Sequence, residues 1–221
     1  MAENWQTVDD YIAEKLLGSD PALEAALSAN AAAGLPPIDV SAPAGRMLSL
    51  FARMLGAKRI LEVGTLGGYS TICFARALPE GGRIVTLEID PHHAEVARSN
   101  LAAAGVADAV EIRVGPAIAS LDAMRAQGEA RFDLVFIDAD KQSNADYVRA
   151  ALDLTRPSAA IIVDNVVRNG KVIDPASNDA MVQGTRRLYD YLAQETRLDA
   201  TAIQTVGSKG WDGFVLALVK G

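Results

Sequence analysis

The chain has 221 residues, half of them hydrophobic, and a formal net charge of −7 at neutral pH. That length suits one ordinary globular domain with at most a small appendage, and the acidic balance disfavours nucleic acid, whose binders carry a basic footprint. No apolar run approaches the ~18 residues of a membrane span, the acidic start MAENWQTVDD lacks the basic and apolar regions of a secretory signal, and the lone Cys73 permits no intrachain disulfide, so a cytoplasmic location is expected.

The first forty residues are expected to be helical. Val8, Tyr11, Ile12, Lys15 and Leu16 fall at helical spacing and predict one packing face. Asp20 followed by Pro21 is an N-cap with proline at the first helical position; it starts a second helix that ends near Gly34. A third runs from near Ser41 through Met47, Leu48 and Phe51 to Gly56. The texture then changes. RILEV (59–63) is a short apolar run opening onto GTLGG, and RIVTLE (83–88) is another, followed by the helix start Asp90-Pro91. AVEIRV (109–114), FDLVFID (132–138) and AAIIVD (159–164) complete the set of strand candidates, with Gly105, Gly128 and Pro157 punctuating the connections. Strands alternating with helices predict a parallel sheet with right-handed crossovers. Unbroken Val/Ile/Leu runs predict strands covered on both faces. After a helix over roughly 178–195, strands at 198–206 and 213–219 flank the connection GSKGWD and predict an antiparallel hairpin added to the sheet. No linker divides the chain, so 1–221 is read as one domain, with 1–40 as a helical appendage.

The segment LEVGTLGGYST (61–71) joins a strand to a helix, and its glycines allow a tight turn approached closely by a ligand. Helix-start amides there can receive an anionic group. Alone, a sharp βα turn explains the segment as well. The order Gly64, then Gly67-Gly68, is not the G-x-G-x-x-G of a dinucleotide site; with Glu62 beneath the turn it suits an amino-acid carboxylate and a sulfonium better than a pyrophosphate. Ser70 offers a hydroxyl to that carboxylate. Glu88 ends the second strand about twenty residues on, where a carboxylate can accept both hydroxyls of a ribose. In isolation it reads equally as a solvated strand-end acid.

The choice of chemistry comes from FIDADK (136–141) and IVDN (162–165). Each follows a buried strand, and such strand ends converge on one crevice of an open parallel sheet. Asp138, Asp164 and Asn165 are therefore expected together, as hard oxygen ligands for Mg²⁺ or a similar ion such as Ca²⁺ or Mn²⁺. Each Asp alone could be a helix cap. Lys141 is placed to reach over this cluster as a base, or to be an ordinary surface lysine. His92 and His93, at a helix start, are read as exposed and not as ligands.

The motifs LEVGTLGGYS, LEID, VGPA, IDADK, VDNVVRNGKV and a final pair near GWDGFVLALV stand in the order seen in a known family. The chain resembles the metal-dependent class I O-methyltransferases, the catechol and caffeoyl-CoA enzymes among them, from about Val40 to its C-terminus. The resemblance implies an α/β, Rossmann-like S-adenosylmethionine methyltransferase fold: a seven-stranded, mostly parallel sheet with an antiparallel C-terminal hairpin and helices on both faces. It implies a cofactor site at Val40, Glu62, Gly64, Thr65, Ser70, Glu88, Ala117 and Asp140. It places the metal ligands on Asp138, Asp164 and Asn165, the catalytic lysine on Lys141, and a substrate contact on Asn169. It also implies a homodimer, with residues 1–40 shaping the acceptor pocket and the dimer contact. The expected reaction is methylation of a small, hydroxylated aromatic acceptor with vicinal oxygens. Rival readings are methylation of a hydroxylated tRNA nucleoside on the same core, a nicotinamide oxidoreductase, and a non-catalytic adenosine-binding module. Trp211 departs from the family's usual Gly-Asp-Gly hairpin; it is read as a cover for apolar surface in preference to a substrate-stacking ring.

Overall fold

The computed structural model describes residues 3–221; Met1 and Ala2 of the acidic start lie outside the described residues. Helix α1 (Glu3–Ile12) runs on into a π turn at Ala13–Leu17. Helix α2 (Pro21–Ala32) begins where the Asp20 carboxylate accepts from the Leu23 amide, and α3 (Ala42–Met54) where the Ser41 hydroxyl accepts from the Ala44 amide. Strands and helices then alternate: β1 (Arg59–Val63), α4 (Tyr69–Ala75), β2 (Arg83–Glu88), α5 (Pro91–Ala103), β3 (Val110–Val114), α6 (Ala117–Gln127), β4 (Phe132–Ile137), α7 (Asn144–Leu152) and β5 (Thr155–Asp164). Helix α8 (Ala180–Gln194) leads into β6 (Leu198–Gly207) and β7 (Gly210–Val219).

The sheet has seven strands in the order β3-β2-β1-β4-β5-β7-β6. β1 to β5 pair in parallel, and β7 runs antiparallel to both β5 and β6. The chain winds outward from β1 to β3, then restarts on the other side of β1 with β4. Ligands of open α/β sheets bind at that reversal, beyond the carboxyl ends of the strands. Alternate strand residues fill two separate cores. Ile60, Leu134, Phe136, Ala160 and Ile162 pack with Leu48 and Ala52 of α3 and Phe74 of α4. Leu61, Val63, Val135, Ile137, Ile161 and Val163 pack on the opposite face with residues of α6, α7 and α8. This two-sided burial is why the strands read as unbroken apolar runs.

Three expectations are corrected. The apolar side predicted for the first helix is not buried within the chain: Val8, Tyr11 and Leu16 are all exposed. Helical spacing identifies an apolar side but not a partner for it. Pro157 does not punctuate a connection; it lies inside the span of β5, where the register slips so that Phe132 pairs with Thr155 but Leu134 with Ala160. The intervening residues bulge out of the ladder, and a proline there forfeits no hydrogen bond. The hairpin connection is Ser208-Lys209, not GSKGWD, because Trp211 and Asp212 pair with Val206 and Thr205. Trp211 Nε1 donates to Gln204 Oε1, and the indole ring lies against Gly170, in keeping with a covering role.

Gly64 is the glycine on which the site depends. Its φ is 97°, and a Cβ there would sit 2.2 Å from the backbone oxygen of Asp138. Gly105 also has a positive φ, 71°, but open space around it. Gly105→Ala should therefore cost only left-handed strain, about 1–2 kcal/mol. Gly64→Ala adds a backbone collision and should cost about 3–5 kcal/mol. Urea unfolding midpoints of the two variants measure the difference; equal losses would contradict the close approach.

Candidate active site

Two buried acids hold the β1–α4 turn from below. Glu62 is fully buried and accepts from three hydroxyls, those of Ser70, Thr71 and Thr86. Burial nonetheless pushes its pKa up to about 7; the three hydrogen bonds oppose the rise, and the charge of Asp138 adds to it. The Ser70 hydroxyl, expected to face a ligand carboxylate, donates to Glu62 at 2.6 Å. A buried carboxylate without a cation beside it draws on every donor in reach. Glu88 Oε2 accepts from the amides of Thr65 (3.0 Å) and Leu66 (2.8 Å), and Oε1 from that of Asp90 (3.0 Å). Three of its roughly four lone-pair positions are thus used on backbone, leaving about one for a ligand. His93 Nδ1 lies 3.6 Å from Glu88 Oε1, a neighbour the sequence did not suggest.

The N-terminal layer reaches this turn through side-chain amides. Asn100 Nδ2 donates both to Gly67 O and to Asn30 Oδ1, and Asn30 Nδ2 donates to Asp39. Helix α2 and the stretch before α3 are thereby tied to the glycine turn.

The acid pair follows from strand register. Ile137 of β4 pairs with Val163 of β5, so Asp138 and Asp164 leave the sheet side by side. The Asp138 amide donates to Val63 O, which joins the pair to the tip of β1. Burial raises the pKa of Asp164 to about 7; the charges of Asp138 and Asp212 raise it further, while Lys141 and the Asn165 amide oppose the shift. Lys141 is buried, not a surface residue, and its Nζ lies 2.6 Å from Asp138 Oδ1. Among the described residues no group of three or more His, Cys, Asp or Glu gathers as a metal site. The candidate set is two carboxylates and the amide of Asn165. Two adjoining, half-buried carboxylates form a hard-oxygen donor set that fits a divalent cation with water or substrate in its other positions.

Asp138, Asp164, Asn165 and Asn169 line one wall of a cavity of about 510 Å³, and Val40 lines it too. Met47, Leu48, Phe136, Ile162 and Phe214 give it an apolar side. That combination suits a small aromatic with polar substituents at one end. Gly64 and Thr65 belong to the turn adjoining Asp138, Glu88 ends β2 beneath it, and none of the three lines the cavity. Ala117 begins α6 and packs on the core below it. Asp140 is exposed and accepts from the Ser143 and Tyr147 hydroxyls. Asp212, which the sequence did not single out, accepts from the Val167 and Arg168 amides and so fixes the loop that carries Asn169.

A model of the O-methyltransferase family matches residues 18–219. The chain belongs to this family. It is 54% identical over 213 residues to the catechol O-methyltransferase of Mycobacterium tuberculosis, covering 96% of this chain and 95% of the relative. A crystal structure of the O-methyltransferase from Bacillus cereus in complex with SAH superposes with a TM-score of 0.98, at 53% identity and full coverage of both chains. The O-methyltransferase TomG from Streptomyces achromogenes, involved in tomaymycin synthesis and solved in complex with SAM, gives 0.96 at 50% identity, covering 100% of this chain and 99% of that one. The O-methyltransferase sheet, with its terminal antiparallel hairpin and helices on both faces, is thus the one expected from the sequence.

In this O-methyltransferase Glu62 makes stability depend on pH. Its folded pKa, about 7, lies above the ordinary 4.5, so folding favours the protonated acid. The stabilisation is complete below the ordinary value and is lost as pH rises toward the folded one. Glu62→Gln keeps the shape but cannot ionise. Between about pH 5 and pH 8, wild type should lose on the order of 2–3 kcal/mol relative to Glu62→Gln. Parallel stability curves in denaturant titrations would contradict this.

Proposed function

We propose that the chain transfers a methyl group from S-adenosylmethionine to one hydroxyl of a small arene with two vicinal hydroxyls, with the help of a divalent cation, Mg²⁺ by preference. The observation that carries the reading is the side-by-side emergence of Asp138 and Asp164 on the wall of the cavity, against the glycine turn. The names and bound ligands of the relatives support it.

In this reading Gly64, Thr65 and Glu88 receive the cofactor at the turn, with Val40, Ala117 and Asp140 around it, while Glu62 and Ser70 keep the turn in shape. Asp138, Asp164 and Asn165 would hold the cation, which when bound supplies Lewis-acid polarisation of the acceptor oxygens. Asn169 positions the acceptor at the cavity wall. Lys141 Nζ, held beside Asp138, takes the hydroxyl proton or, charged, steadies the phenolate. The apolar side of the cavity keeps water from the reacting oxygen. Methyl then passes in line from sulfur to oxygen, and alignment of the two reactants lowers the barrier by up to ~7–11 kcal/mol.

Catechol turnover with S-adenosylmethionine tests this, run with Mg²⁺ and with chelator. Product should form only with the metal, and Asp164→Ala should lower kcat/KM at least about 100-fold. The dissociation constant for S-adenosylmethionine should stay within about twofold, because Asp164 is outside the glycine turn. Undiminished turnover in chelator, or in Asp164→Ala, would overturn the metal role.

A further inference from the structure

The loop after β5 carries two cations onto the acceptor cavity, Arg168 and Lys171, and neither has a carboxylate within ion-pairing distance among the described residues. Among the described residues Arg168 Nε is buried with no hydrogen-bond partner, and the guanidinium's one recorded hydrogen bond runs from Nη2 to Met181 Sδ at 3.5 Å. A buried, unsatisfied guanidinium donor is costly and rare. None of the acids around the cavity pairs with it among the described residues; their recorded partners are other groups. Asp212 accepts from the Val167 and Arg168 amides, Asp179 from the Met181 amide, Asp9 from the Ser208 amide and Asp39 from Asn30. Asp138 is held by Lys141.

The backbone fixes this placement. Asn165, Arg168 and Asn169 all have positive φ, at 59°, 57° and 55°. The Arg168 amide is held by Asp212, and the Asn169 amide by the carbonyl of Trp211. Left-handed non-glycine residues cost energy and persist where surrounding contacts over-determine them. The hairpin thus presents Arg168 to the same cavity as the acid pair.

We propose that Arg168, aided by Lys171, receives a carboxylate carried by the acceptor, so that the acceptor class is catechols bearing an acid group. The inference rests on the catechol-type reading above and deepens it. The acid pair takes the end of the acceptor with the vicinal oxygens. The guanidinium fork, whose planar donors match a carboxylate, takes the other.

The test compares kcat/KM for 3,4-dihydroxybenzoate, 3,4-dihydroxycinnamate, catechol and dopamine, in wild type, Arg168→Gln and Arg168→Lys. Wild type should favour the better of the two acids over catechol by at least about tenfold, with dopamine poorest. In Arg168→Gln the acid-to-catechol ratio should fall about 10–100-fold, mainly through KM, with part of the loss recovered in Arg168→Lys. Catechol turnover without a preference for the acids, or an acid-to-catechol ratio unchanged in Arg168→Gln, overturns this inference and leaves the methyl-transfer reading standing. No turnover of any of the four by wild type overturns that reading, and the inference falls with it.

Discussion

Two carboxylates are brought together at the tips of neighbouring strands, and much of the site is arranged around that repulsion. The register of β4 and β5 admits no other placement for Asp138 and Asp164. A positive charge must answer them, or one must hold its proton. In the structure Lys141 answers part of the charge, and Asp164 is driven toward neutrality. The repulsion therefore makes the cavity wall receptive to a cation. An arrangement built for stability alone would gain from replacing such a pair with apolar side chains.

The same tips couple the acid pair to the glycine turn. Gly64 lies so close to Asp138 that no side chain fits between them, and the Asp138 amide is bonded to β1. The turn is in turn held by Glu62 and Glu88 and roofed by Asn30 and Asn100. The proposed donor and acceptor sites thus share a wall whose dimensions are set by backbone contacts. Pre-set geometry of this kind is what a direct transfer between two bound reactants needs.

Sequence made the local features legible. The caps at Asp20-Pro21 and Asp90-Pro91 are local chemistry, and both start helices in the structure. The unbroken apolar runs reported strands covered on both faces. The acids at the ends of β4 and β5 were legible because each directly follows such a run. What stayed hidden depends on contacts across the fold. Nothing local tells that Trp211 and Asp212 are strand residues; Gln204 and the amides of Val167 and Arg168 decide that. Nothing local shows that the Ser70 hydroxyl is taken by Glu62, or that Val8, Tyr11 and Leu16 are left exposed among the described residues. The isolation of Arg168 is likewise invisible in a sequence, since it depends on which carboxylates the fold brings within reach of the guanidinium.

The central claim is that the Asp138–Asp164 pair is a cation site beside the methyl donor. Crystals grown with Mn²⁺ and S-adenosylhomocysteine test it most directly, by anomalous diffraction at the manganese edge. The account predicts one strong peak within coordination distance of side-chain oxygens of Asp138, Asp164 and Asn165, at ~2.0–2.3 Å for a hard divalent ion. An anomalous map with no peak there, from a crystal whose glycine turn holds the nucleoside, would contradict it.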